Sequence, residues 1–248
     1  GEYANTGFTQ WGASGLAAVW AEENTRDSIF KAFRRKETFA TTGTRIAVRF
    51  FGGYDLSSID LNSESIVSEA YQKGVTMGSD LLNDENKNPE FLVWAQRDKN
   101  GAPLQRIQII KGWIDANSGR PEEKVFDVAC SDGLQPDSLT NRCPDNGARV
   151  NINDCSITSN VGSSELKTIW KDPEFVPADK TFYYVRVLEN PTCRWSTWDA
   201  IKAGYKPREG LHETIQERAW SSPIWYIPEQ SDVEVIPLGG TIQLRNID

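Results

Sequence analysis

Read as apolar and polar positions, most of the chain carries a period of two. Between Arg45 and Phe51, Ile46, Val48 and Phe50 alternate with Arg45, Ala47 and Arg49, and Phe51 continues the second phase. That alternation predicts a half-buried strand. Phe91 to Gln96 (FLVWAQ, closed by DKNGAP), Leu104 to Lys111 (LQRIQIIK), VFDVAC up to Cys130 and TFYYVRVLE from Thr181 to Glu189 read the same way. ERAWSSPIWYIP adds an extended segment. Pro223 within it has no N–H for a ladder, which predicts an edge or a bulge. Leu16 to Ala21 (LAAVWA) has strand length, and IQL near the end offers a last strand.

Helical spacing interrupts this pattern three times. In EENTRDSIFKAFRRKE, Thr25 suits an N-cap and Asp27 the positive helix end. Ile29, Phe30 and Phe33 share a face, and Arg34, Arg35 and Lys36 suit the negative end. SESIVSEAYQKG (63–74) predicts a short helix ending at Gly74, and SSELKTIWKDPEF (163–175) another, with Ser163 or Ser164 opening a capping box. Residues 1–15 read as loop. The fold class that follows is mainly β, an antiparallel β-sandwich-like domain with short helices over 46–228. A strand and helix precede it within 1–45, and 229–248 form a tail or edge strand.

Composition narrows the function. The 248 residues have a net charge of −8 with dispersed basic positions. A nucleic-acid partner needs a concentrated basic face, and none is expected. No run approaches a membrane span, so no membrane insertion is expected either. His212 is the single histidine. A multi-His metal centre is therefore excluded, and no metal or cofactor is expected in this chain. The N-terminal GEYANTGFTQWG lacks the features of a signal peptide and the only Met is Met77, so a preceding segment is expected.

Cys130, Cys143, Cys155 and Cys193 contain no C-x-x-C spacing. Three of them lie in or beside a Gly/Asp/Pro/Asn-rich excursion that needs a staple, which points to disulfides and a periplasmic or secreted protein. Four cysteines allow three connectivities. The favoured one joins Cys130–Cys143 across a loop of fourteen residues and leaves Cys155–Cys193. Its competitor joins Cys130 to Cys155 and Cys143 to Cys193.

Two constellations can carry chemistry. Glu22, Glu23 and Arg26 stand at a strand end and helix start, and Thr41, Thr42, Gly43 and Arg45 form a turn, TTGTR, whose amides, hydroxyls and guanidinium suit an anionic oxygen. The plainer reading pairs the acids with Arg26, Arg34 or Arg35 and leaves the turn as a connection. Nine tryptophans supply the second constellation, with Trp195 and Trp198 around Arg194 as candidate stacking surfaces for a glycan. Cation–π packing of Arg194 on an indole explains the same residues structurally.

Four blocks, WAEENTRDSIFKAFRRKETFATTGTRIAVRFFGG, LVWAQRDKNGAPLQRIQIIKGW, FYYVRVLENPTCRWSTWDA and ERAWSSPIWY, resemble the C-terminal portion of the family catalogued as "domain of unknown function 3604". The resemblance runs from about Trp20 to Tyr226. It implies a larger exported bacterial protein whose upstream part is similar to the polymerase-and-histidinol-phosphatase metallohydrolases, a distorted barrel binding divalent metals. On that resemblance residues 1–45 hold the terminal strand and helix of the barrel, and its partner is the upstream barrel domain. Glu22, Glu23, Arg26 and Arg45 then lie at the mouth, and a small anionic ester, a phosphoester or phosphonate ester, is the expected substrate. The chain itself would be an accessory domain without a complete active site. The alternative is a glycan- or cell-envelope-binding sandwich module.

Overall fold

The computed structural model describes residues 11–85 and 87–228, together with the backbone of Pro237–Leu238 and Thr241–Ile242. Residues 1–10 of the predicted loop, most of the predicted 229–248 tail, and Gln243 and Leu244 of IQL lie outside the described residues.

The chain opens with β1 (Leu16–Val19), α1 (Arg26–Arg34) and β2 (Thr38–Thr41), then β3 (Ala47–Gly53), α2 (Ile66–Lys73), β4 (Gly74–Thr76), β5 (Asp80–Leu82) and β6 (Glu90–Gln96). The long strands β7 (Leu104–Ile114) and β8 (Pro121–Cys130) follow, then β9 (Val150–Asn151), β10 (Ser156–Ile157), β11 (Glu165–Lys171) and β12 (Lys180–Glu189). It closes with β13 (Thr192–Cys193), α3 (Trp195–Ala203), β14 (Thr214–Ile215), β15 (Arg218–Ser221), β16 (Ile224–Ile227), and the β17 (Pro237–Leu238) and β18 (Thr241–Ile242) hairpin.

Two sheets dominate. In the larger, β12 pairs with β7 along one edge and with β15 and β16 on the other; β8 extends the β7 side, β2 and β1 follow β15, and β5 follows β16. The smaller runs β11-β6-β3-β4. Pairing is antiparallel except between β16 and β5. One core joins the sheets. The small sheet contributes Ile46, Val48, Phe50, Phe91 and Val93, and the large sheet Ile107, Ile109, Tyr183, Val185 and Val187, all essentially buried. This is the packing of two inner faces that the alternating strands predict. A second cluster, Phe51 and Leu92 with Leu56, Ile59, Ile66 and Ala70, covers the back of the small sheet and explains why Phe51 is apolar on the opposite phase.

Pro223 sits where expected of a residue without an N–H. β15 meets β12 at Arg186↔Trp220 and β16 meets it at Tyr183↔Ile224, so the register slips by one residue at Ser222–Pro223. The Ser221 hydroxyl accepts the Val185 N–H at 2.9 Å across the gap, as a bulge requires.

One reading is corrected and one element is new. The helix predicted over 163–175 is strand β11, paired residue for residue with β6 from Glu165↔Gln96 to Lys171↔Glu90. Its β-branched and aromatic residues fit the sheet: Leu166 joins the core, and Trp170 packs on Phe91, Phe126 and Tyr183. Tertiary pairing overrides the local capping signal. Helix α3 was not foreseen, although Gly204, left-handed at φ 75°, marks its end. Finally, β1 and β2 are antiparallel neighbours (Leu16↔Thr41 to Val19↔Thr38) and β2 pairs with β15. β1–α1–β2 thus form an edge of the large sheet, and the chain crosses to the small sheet between β2 and β3.

The structure joins Cys130 to Cys143 and Cys155 to Cys193. The first closes the excursion after β8, and the second ties the β9–β10 hairpin to β13. Chain-entropy arguments give about 3 kcal/mol for the shorter loop and about 4 for the longer. Guanidinium unfolding of the paired Ser variants should therefore show the larger loss on Cys155→Ser/Cys193→Ser. An equal or reversed order would mean that the longer bridge joins segments already held together.

Candidate functional site

Helix α1 begins as its sequence dictates. The Thr25 hydroxyl accepts the Ser28 N–H at 3.3 Å, and Asp27 occupies the first turn. The Ser28 hydroxyl donates to Glu22 at 2.9 Å and accepts the Glu23 N–H at 3.2 Å. Glu22 also pairs with Arg35 at 3.2 Å, the pairing that the plainer reading anticipated. A backbone N–H first, then Ser28 and Arg35, hold the Glu22 carboxyl below the usual range. Glu23 and Arg26 stay exposed and line, with Glu22, Thr25, Asp27 and Lys31, an open hollow of about 710 Å³. The helix turns Ser28 and Ala32 inward and leaves much of the apolar face of Ile29, Phe30 and Phe33 in solvent. Phe30 is 62% exposed and Phe33 51%.

Behind α1 lies a network that the sequence reading missed. Glu37 is buried and receives Arg35 Nε at 3.1 Å, Thr76 Oγ1 at 3.2 Å and the Tyr71 hydroxyl. Arg49 lies 3.7 Å from the centre of the Trp20 ring and donates to the Tyr71 oxygen at 3.2 Å. The Trp20 indole N–H donates to the Val48 carbonyl at 2.8 Å. These contacts frame a hollow of about 270 Å³ between α1 and the small sheet. The clue was the Arg49 position on the outward phase of β3, opposite a strand ending in Trp.

The TTGTR turn uses the Thr42, Gly43 and Arg45 amides and the Thr41 and Thr42 hydroxyls internally, while the Arg45 side chain stays exposed. The Thr41 hydroxyl donates to the Thr44 carbonyl at 2.6 Å and accepts the Gly43 N–H at 3.1 Å. The Thr42 hydroxyl donates to Glu217 and accepts the Arg218 N–H at 2.9 Å, while the Arg45 N–H donates to Asp98 at 2.8 Å. Gly43 adopts φ 134°, which disfavours any side chain. The turn thus stitches β2 to β15 and to the β6–β7 loop, with its amides turned toward the protein.

Under that turn lies Glu189, wholly buried, with neither carboxylate oxygen in hydrogen-bond geometry among the described residues. Gly101 leaves the room it needs, since a Cβ there would stand 2.8 Å from Oε1. Burial pushes the Glu189 carboxyl up to about 7. Glu217 and Asp98 add to the rise, and the nearby Thr44 hydroxyl and Ala102 N–H hold part of it back.

Trp195 and Trp198 stand one turn apart on α3, each with its own cation. Arg194 lies 5.2 Å from the Trp195 ring and Lys202 5.5 Å from Trp198. The Trp195 indole and Arg194 both donate to the Trp11 carbonyl, at 3.1 and 2.6 Å. Trp198 is 39% exposed. Arg194 also borders an open cleft of about 570 Å³ with Gln105, Arg149, Gln216 and Arg218 and the exposed His212. No group of three or more His, Cys, Asp or Glu is placed to hold a metal among the described residues, and no described helix is long and apolar enough to cross a membrane.

The class these features define is a mainly antiparallel β protein with short helices, stapled by two disulfides, a construction compatible with an extracellular or periplasmic protein. The family model described as "Protein of unknown function (DUF3604)" matches residues 2–228, and the chain belongs to that family. No curated protein and no solved structure matches it.

Glu189 generates a pH prediction. Its carboxyl titrates near 7 in the fold and near 4.5 when unfolded. The fold therefore binds the extra proton, and the ionisation penalty is absent below the unfolded value. It grows as pH rises from about 4.5 to 7 and is complete above that. Glu189→Gln should match the parent near pH 4 and exceed it by about 3 kcal/mol at pH 8. Denaturant midpoints at the two pH values measure this; a pH-independent difference would place a counter-ion beside Glu189.

Proposed function

We propose that this chain is the accessory portion of an exported hydrolase that acts on phosphoesters or phosphonate esters, and that it walls the catalytic unit without reacting itself. The observation that carries this reading is the apolar face of α1. Phe30 and Phe33 stay in solvent although the helix is otherwise anchored by Thr25, Ser28 and Ala32. Large adjoining aromatic side chains left open on a charged protein suit a protein–protein seam. The hollow beside them, with Glu22, Glu23 and Arg26 on its rim, gives that seam a polar edge where an anionic ester could be oriented. The two disulfides fit export. Divalent metals belong, in this reading, to the upstream barrel, because the described residues offer no donor set for them and no catalytic step runs through this chain.

The test compares two forms of the protein. Phe30→Asp/Phe33→Asp should leave the isolated chain within about 0.5 kcal/mol of its parent stability. In the full-length protein it should loosen the seam by about 3 kcal/mol or more, measured as earlier melting and lost hydrolysis of bis(p-nitrophenyl) phosphate with manganese or zinc. The isolated chain should not turn the ester over. Turnover by the chain alone, abolished by one substitution within it, would overturn the proposal. So would a full-length double variant that behaves as its parent.

A further inference from the structure

The outer face of the large sheet separates its charge from its aromatic surface. Along β12, Tyr183, Val185 and Val187 enter the core, so Phe182, Tyr184, Arg186 and Leu188 point the other way. The register sets Gln108 and Trp220 on either side of Arg186, and Arg106 and Arg218 on either side of Leu188. Asp127 lies opposite Gln108 on β8. Its side chain is 2% exposed and fully engaged: Gln108 Nε2 donates at 2.6 Å, the Cys143 N–H at 2.8 Å and Arg142 at 3.4 Å. Around Arg106, then, one carboxylate faces four guanidiniums, its own and those of Arg186, Arg142 and Arg218.

Among the described residues, Asp127 is the one carboxylate in ion-pair range of this cluster. Arg186 Nε donates to Gln108 at 2.7 Å and Arg218 Nε to the Gln216 carbonyl at 3.1 Å, both neutral acceptors. Arg106 Nη1 donates to the neutral Gln105 side-chain oxygen, while its Nε is buried without a hydrogen-bond acceptor among the described residues and lies 3.6 Å from an Asp127 oxygen. Burial first, and then the neighbouring guanidiniums, depress its affinity for the proton. A cationic cluster of this kind in a protein of net charge −8 fits an anionic ligand group.

Four residues back from Arg186 along β12, roughly 13 Å away, the face changes character. The Phe182 and Trp225 rings lie 5.1 Å apart, and Phe182 and Tyr184 are within 16° of parallel. Gly112 makes this possible, because a Cβ there would stand 2.3 Å from the Phe182 ring. An open, mainly apolar cleft of about 430 Å³ runs past Phe182 and Trp225, with Glu122, Glu123 and the single cation Lys180 at its rim.

We infer that this face binds an acidic oligosaccharide. A uronate carboxylate meets Arg186, Arg218 and Arg106, and neutral sugar rings lie along Tyr184, Phe182 and Trp225. Aromatic faces beside hydrogen-bonding groups suit pyranose rings. Glu122 and Glu123 outnumber Lys180 at that rim, which disfavours a polymer charged on every unit, such as nucleic acid or polyuronate. Such a chain would bring negative charge onto two carboxylates at the aromatic end. A chain with sparse acid groups matches both ends. The inference stands apart from the hydrolase reading, since it uses neither α1 nor its hollow.

Affinity electrophoresis and calorimetry with a sparsely substituted glucuronoxylan, its carboxyl-reduced form, polygalacturonate and single-stranded DNA provide the test. Glucuronoxylan should bind best. Carboxyl reduction and Arg186→Gln/Arg218→Gln should each weaken binding about tenfold, and the double variant should no longer distinguish the native from the reduced polymer. Trp225→Ala should cost about fivefold. Should the double variant melt early, Arg142→Gln and Trp225→Ala, at exposed side chains, give the same reading. Four results overturn the inference: no binding to glucuronoxylan, equal binding of the native and reduced forms, tighter binding of DNA or polygalacturonate, or stably folded variants that bind as the parent does.

Discussion

Strand β12 is paired on both edges along most of its length, and the rest of the fold depends on that constraint. With β7 on one side and β15 and β16 on the other, its alternation is locked. A slip of one residue would send Tyr183, Val185 and Val187 to solvent and Arg186 into the core. The same lock sets which residues of β7 face inward and so fixes the match to Phe50, Phe91 and Val93 on the small sheet. Pro223 is tolerated because the misfit it creates falls between two strands that share one partner edge, where Ser221 fills the missing hydrogen bond.

The core also contains charge. Lys111 and Asp172 meet at 2.7 Å with side chains 3% and 0% exposed. Lys111 donates also to the Glu174 carbonyl, and the Tyr183 hydroxyl donates to Asp172, each at 2.7 Å. Burial and the adjacent carboxylate push the Tyr183 hydroxyl far up, so it stays a donor. A pair held this way offsets its desolvation through several hydrogen bonds. It also joins β7 and β12 to the chain leaving β11, which makes it a tie between the two sheets. Glu189 is the contrast: buried at the end of β12, it has no cation to answer it.

Much of this was legible in the chain. Period-two segments became β3, β6, β7, β8 and β12 because each buries one face against a partner of the same period. Thr25 caps α1 through a contact that depends on only four residues. The two bridged cysteine pairs are those that loop length and the polar excursion favoured. What failed was decided over long range. Glu165 to Lys171 carries a helix-opening sequence, yet seven backbone pairings with β6 outweigh a local cap. The apolar face of α1 was legible as a face, and its exposure follows because the helix buries only Ser28 and Ala32. The arginine cluster was invisible because Arg106, Arg142, Arg186 and Arg218 are scattered through the sequence and meet only by register.

The two sheets are finished differently, and this asymmetry carries the functional argument. The small sheet is covered on its back by α2 and the segment before it, which bury Phe51 and Leu92. Among the described residues the large sheet has no such cover over Tyr184, Phe182 and Trp225, yet its outward residues are not the short polar side chains that an idle solvent face needs. Large rings left half in water and guanidiniums gathered around one satisfied carboxylate both cost stability. Gly112 adds a third cost, since a glycine within a strand weakens it, and here its effect is to let the Phe182 ring lie across the Gly112 backbone, next to Trp225. Three unfavourable choices made on one face, none needed to close the core, are explained together by a ligand that meets the charge at one end and the rings at the other.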